Sequence, residues 1–125
     1  MVYLLKTNCN KYPKPFCYHY AIQFTIKRTQ KWVTDNTPEH NVSIETLKDF
    51  EEKREIIERI KLPNISDEYV QEAISKYGNM KFNYWNFNCK QYAMLIAKGK
   101  KGLSTLQKGA IGLGAVGALS LLLKK

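Results

Sequence analysis

Apolar and polar residues alternate most regularly from Tyr18 to Ile26, where Tyr20, Ile22, Phe24 and Ile26 fall on one face and His19, Ala21, Gln23 and Thr25 on the other. A period of two over nine residues predicts a strand with its more apolar face toward a core, so His19 points away from that face. Val2–Leu5 is a shorter candidate strand, and Pro13 and Pro15 interrupt pairing after it. The turn-like run Lys27 to Lys31 leads to Trp32-Val33-Thr34-Asp35, an antiparallel partner for the second strand. After Asn36-Thr37-Pro38 a helix is expected from about Thr46, with Leu47 and Phe50 inward and Asp49 and Glu51 in its early turns, where the helix dipole favours acids. Glu55 to Leu62 fits either period: Ile57 continues the helical stripe of Leu47 and Phe50, whereas Ile60 and Leu62 alternate as in a strand. Ser66 caps a further helix whose stripe Val70, Ala73, Ile74 and Tyr77 stops at Gly78. A last amphipathic helix is expected from about Cys89 to Lys98, with Tyr92, Ala93, Ile96 and Ala97 inward and Gly99 closing it. The pattern predicts an α+β fold, a small antiparallel sheet packed against helices. At 125 residues the chain has room for one core.

Beyond Lys108 the pattern changes. Gly109 to Leu123 contains no charged residue and ends at Lys124-Lys125. As a helix this segment is about 22 Å long, less than the roughly 30 Å of a hydrocarbon core, so it inserts obliquely, thins the bilayer or relies on lysine snorkelling. Ala110, Gly114 and Ala118 recur every four residues, a spacing suited to close helix contact. The expectation is a hydrophobic membrane-anchoring tail over residues 103–125, following a domain over residues 1–102.

Charge sharpens this picture. All 11 acidic residues lie between Asp35 and Glu72, so the net charge of +9 comes from two acid-free basic flanks around an acidic middle. If the flanks meet in the fold they form a positive face, suited to an anionic membrane, phospholipid headgroups or nucleic acid. The three cysteines, Cys9, Cys17 and Cys89, are odd in number and lack metal-ligand spacing, and no apolar leader precedes them. A reducing, cytosolic setting without metal or cofactor is expected.

The chemistry rests on two residues far apart in the chain. Asn88-Cys89 opens an apolar-striped helix, and His19 stands on a strand. A thiol reacts as thiolate, and a helix N-terminus and an imidazole both lower its pKa. In this arrangement Cys89 is the nucleophile and His19 the base. The backbone N–H of Cys89 is a natural oxyanion donor, and Asn88 fixes the turn.

These residues carry a family resemblance. Pro15-Phe16-Cys17-Tyr18-His19-Tyr20-Ala21-Ile22 resembles the His box of the lecithin retinol acyltransferase-like family, which includes small phospholipase A and acyltransferase proteins within the NlpC/P60 papain-like group. Thr46-Leu47-Lys48-Asp49-Phe50 is similar to its short central helix, and Val70 to Gly78, Tyr84 and Asn88-Cys89 to its helix, glycine, tyrosine and Asn-Cys block. The resemblance spans about residues 2–123, apolar tail included. It implies a permuted papain-like fold and thiol acyl transfer on glycerophospholipids through an acyl-cysteine, with Tyr20, Asn88, Lys90 and Gln91 lining the substrate site. It also implies the cytosolic face of an intracellular membrane, with anchoring through the C-terminal tail.

In that family a second histidine, about a dozen residues after the first, orients the catalytic imidazole, and here that distance falls on Lys31. A slightly longer hairpin turn brings Thr34 or Asp35 into the orienting place, and a carboxylate there suits the task. Asp35 is favoured, with His40 the other candidate. The Glu-His that usually follows the cysteine is Lys90-Gln91. Two rivals stand beside lipid turnover. One is a catalytically silent member, like some picornavirus 2A proteins, associating with membrane or RNA. The other is peptidase or amidase action like that of bacterial NlpC/P60 enzymes.

Overall fold

A computed structural model describes residues 1–8 and 18–99. Five strands and three helices follow in the order β1 (Tyr3–Asn8), β2 (Tyr18–Ile26), β3 (Gln30–Thr37), β4 (Asn41–Thr46), α1 (Leu47–Lys53), β5 (Ile56–Lys61), α2 (Asp67–Tyr77) and α3 (Cys89–Ala97). The fold is α+β. All strands lie in one antiparallel sheet, ordered β4-β3-β2-β1-β5. The expected C-terminal helix, the proposed boundary at residue 102, Cys9, Cys17 and the start of the His box all lie outside the described residues. Among the described residues no helix is long and apolar enough to cross a membrane.

Strand parity divides the interior into two layers. On one face of the sheet Ile22, Phe24 and Ile26 pack with Val70, Ala73, Ile74 and Tyr77 of α2 and with Tyr92, Ala93 and Ile96 of α3. On the other, Leu5, Ala21 and Val33 enclose Phe50, the one buried residue of α1. This second layer makes β2 a strand buried on both sides, where the sequence predicted one apolar face.

Several boundaries have local causes. Thr46 caps α1 by accepting the Asp49 N–H at 3.1 Å, and Ser66 caps α2 by accepting the Tyr69 N–H at 3.0 Å. Asp67, in the first turn of α2, accepts the Thr25 N–H at 2.7 Å and pins the helix to β2. Gly99 sits at φ +76° after α3, a conformation that glycine adopts freely. Gly78 ends α2 in ordinary right-handed geometry, without the left-handed cap that a terminal glycine suggests.

Two segments depart from expectation. Asn41–Thr46, where no strand was expected, is β4; the turn before it closes with Asn41 at φ 58° and Thr37 paired with Asn41. The ambiguous Glu55–Leu62 run resolves as β5, an edge strand paired with β1, with Ile57 and Ile60 largely exposed. The helical alternative fails because α1 ends at Arg54, which takes up extended geometry.

Candidate active site

The paired register of β2 and β3 runs from Ile26↔Gln30 to Ile22↔Thr34 and stops there, although β2 begins four residues earlier at Tyr18 and β3 continues to Thr37. The two strands therefore part at one end of the sheet. His19 and Asp35 face each other across this fork, with the imidazole Nε2 2.7 Å from Asp35 Oδ2 and both side chains buried. Parity places both on the α1 side of the sheet, and the His19 ring lies 6.4 Å from that of Phe50.

Cys89 arrives from the other layer as the first residue of α3. The His19 imidazole and the backbone N–H groups of Tyr20 and Lys90 act on its thiol, each favouring the thiolate. With Nε2 held by Asp35, Nδ1 is the ring nitrogen left for the sulfur. Pairing of the Tyr20 N–H with β3 would consume it, so the fork supplies one of the thiolate's donors. The series Asp35, His19, Cys89 has the arrangement that an orienter, base and nucleophile set requires.

The electrostatics follow from burial opposed by these contacts. Burial alone lowers the His19 pKa, but the hydrogen bonds to Asp35 and Cys89 and the Asp35 charge outweigh it and leave the pKa raised, with Arg54 opposing weakly. For Cys89 burial acts upward, yet the His19 hydrogen bond and charge, with the two backbone donors, bring the thiol below its ordinary value. The His19 pKa thus moves up and the Cys89 pKa down, each shift favouring the charged form of its group.

The surroundings hold the set in place. Ser43 Oγ donates to Asp35 Oδ1 at 3.3 Å, from the register partner of Asp35 on β4. Asn36, fully buried, donates its amide to the Phe87 carbonyl at 2.8 Å and fixes the segment entering α3. Tyr92 hydrogen-bonds Thr34 at 2.8 Å, tying the body of α3 to β3. A pit of about 180 Å³ opens beside Asp35 on the α1 side, lined in part by Thr37, Glu45 and Arg54.

Asn88 and Gln91 form a reciprocal cap: Asn88 Oδ1 accepts the Gln91 N–H at 2.9 Å and Gln91 Oε1 accepts the Asn88 N–H at 2.8 Å. Their amide groups donate to the Tyr84 and Trp85 carbonyls at 2.9 and 2.8 Å. Both residues, expected at the substrate, are thus built into the turn that presents Cys89. Lys90 stands over the Tyr20 ring, 5.8 Å from its centroid, so these two do share a rim.

Of the candidate orienters, Asp35 is the one that lies against the His19 ring. Thr34 lies on the opposite face, bonded to Tyr92 and to the Ser43 carbonyl, and His40 is an exposed turn residue. Lys31 is exposed near the hairpin tip. Ser43 and Asn36 were not singled out in the sequence; recognising β4 and its register would have placed Ser43 beside Asp35. Among the described residues no cluster of His, Cys, Asp and Glu has the makings of a metal site.

Comparison of the chain with protein-family models, with curated proteins and with solved structures gives no match.

Proposed function

We propose that this chain is a thiol-dependent phospholipase A or acyltransferase of lecithin retinol acyltransferase-like character, with a permuted papain-like (NlpC/P60-type) domain. The observation that carries this reading is the continuous contact from Asp35 through His19 to Cys89 at the start of a helix. The Cys89 thiolate attacks an ester carbonyl of a glycerophospholipid. The oxyanion forms beside the Cys89 N–H, which as a first-turn donor needs no acceptor within the helix. His19, as imidazolium, gives its proton to the departing lysolipid oxygen as the acyl–sulfur bond forms and the ester bond breaks. Asp35 holds the ring and stabilises its charge. Neutral His19 then takes a proton from water, an amine or a lysolipid hydroxyl as that group attacks the acyl-cysteine carbonyl; the carbon–sulfur bond breaks, the Cys89 thiolate returns, and a free fatty acid or a transferred acyl product leaves.

The apolar segment 109–123, preceded by the basic residues Lys98, Lys100 and Lys101, fits an anchor at the cytosolic face of an intracellular membrane. The orienting carboxylate weakens the case for a silent domain, because it fills the place left by the missing second histidine.

The test is intact-protein mass after brief incubation with phosphatidylcholine or phosphatidylethanolamine vesicles. Wild type is expected to carry an acyl adduct that peptide mapping locates on Cys89, with lysolipid released, and Cys89→Ala neither. Equal lysolipid release by Cys89→Ala would sink the mechanism. Vesicle binding without adduct or lysolipid would turn the assignment to the silent alternative.

A further inference from the structure

We propose that the aromatic and lysine side chains around the start of α3 form a docking surface for an anionic lipid bilayer, holding the Cys89 thiol at headgroup depth. This deepens the phospholipid reading above and rests on it. It is independent of the C-terminal tail.

The surface begins with the turn before α3. Trp85 is 86% exposed and Tyr84 68%, the two most exposed large hydrophobic residues described. They are not out because the loop is loose. Asn83 Oδ1 accepts the Trp85 and Asn86 N–H groups at 2.9 and 3.0 Å, and Asn83 and Phe87 close a backbone bridge. The Asn88 and Gln91 amides hold the Tyr84 and Trp85 carbonyls, as described above. Much of the turn's backbone is thus bonded, while Trp85 and, against the Phe82 ring, Tyr84 remain exposed. A turn with this much internal bonding could bury an indole or replace it, so its display calls for a partner.

Two lysines extend the patch toward β1 and β2. Lys90 Nζ lies 5.8 Å from the Tyr20 ring centroid and Lys6 Nζ 4.1 Å from that of Tyr18. Lys6 and Tyr20 are direct register partners, so the four residues share one face of the sheet's end. One carboxylate adjoins the patch, that of Glu58, the exposed register partner of Lys6 on β5; among the described residues none is paired with Lys90. Trp and Tyr have apolar bodies with a polar tip and concentrate at the level of lipid headgroups, while lysines on the same rim favour an anionic leaflet. A second copy of this chain is the poorer occupant, since it would bring the same cations face to face. Tyr20 and Lys90 also supply the backbone donors at the Cys89 sulfur, so the residues that would meet the headgroups are those that surround the nucleophile.

The test uses the full chain carrying Trp32→Phe and Cys89→Ala, which leaves Trp85 as the single tryptophan and prevents lipid consumption. Its emission is recorded with phosphatidylcholine vesicles, with and without phosphatidylserine, and with acyl chains brominated near the headgroup. The expected result is a blue shift and quenching that strengthen with phosphatidylserine and weaken with salt. In the same protein, Lys6→Gln with Lys90→Gln is expected to remove most of the phosphatidylserine dependence. Trp85→Ala is expected to weaken vesicle binding about tenfold by sedimentation. Trp85 emission unchanged while the protein sediments with vesicles would overturn the docking surface and leave lipid turnover standing. A shift on single-stranded RNA and none on vesicles would overturn it in favour of nucleic acid. Docking at headgroup depth by a protein whose wild type releases no lysolipid would uphold the surface and remove the enzymatic reading.

Discussion

Replacing Asp35 by Asn tests the electrostatics of the site while keeping side-chain volume. At 2.7 Å the gross attraction between an imidazolium and a carboxylate is about 6 kcal/mol at an effective dielectric constant of about 20. Burial of both partners opposes most of it, leaving the net value of a charge-assisted hydrogen bond, about 1.5–3 kcal/mol. Imidazolium therefore becomes about ten- to a hundredfold harder to form in Asp35→Asn. The consequence passes to Cys89: without its cation the thiolate is less favoured, so the thiol pKa climbs back toward its ordinary value. The sign for stability follows from the raised His19 pKa. Relative to the mutant, the wild type gains from the His19–Asp35 pair in full below the ordinary histidine value of 6.5, and this gain disappears as pH rises through the raised one. The chain has two histidines, His19 buried and His40 exposed, so imidazole NMR titration resolves one resonance set for each. Alkylation rates against pH, in a background carrying Cys9→Ser and Cys17→Ser, read the thiol. The His19 titration should move to lower pH and the alkylation profile to higher pH. Superimposable alkylation profiles in the two proteins would refute the coupling from Asp35 to Cys89.

Two further substitutions probe the scaffold. Asn88→Ala removes the cap of α3 and the tether on the Tyr84 carbonyl, and is expected to cost about 1 kcal/mol, lowering the melting temperature by roughly 4–8 °C in a domain of this size; an unchanged melting curve would contradict that role. Phe50→Ala empties the centre of the layer formed by Leu5, Ala21 and Val33, an expected loss of about 3–5 kcal/mol by denaturant titration, whereas a loss below about 1 kcal/mol would show that α1 contributes little to that layer.

Much of this architecture was legible because it is local. The bounds of β2 follow from alternation alone, those of α2 from Ser66 as its cap with an apolar stripe behind it, and α3 from the stripe that Asn88-Cys89 opens. Asp35 stands out in the sequence as a carboxylate near the orienting place, but not through a longer hairpin: the turn covers residues 27–29, closed by Ile26↔Gln30, and Asp35 reaches His19 diagonally where the strands part. What was hidden depended on partners distant in sequence. β4 has just two apolar positions, Val42 and Ile44, and β1 and β3 extend past their apolar runs into Thr7, Asn36 and Thr37, polar residues buried by neighbouring strands. Ser43 and Asn36 enter the site through those strands. The double layer around β2 was illegible for the same reason: Phe50 reaches Ala21 from another element, and nothing near Ala21 in the sequence foretells it.

The fork between β2 and β3 ties reactivity to the order in which the molecule assembles. His19 and Asp35 can meet once the hairpin forms, whereas Cys89 belongs to the last described helix and joins them from the opposite side of the sheet. Before α3 docks, the thiol has neither its imidazole nor the Tyr20 N–H and behaves as an ordinary cysteine. A nascent or partly unfolded chain therefore carries no activated sulfur, and appearance of the fast-reacting thiolate marks the moment when both layers have closed on the sheet.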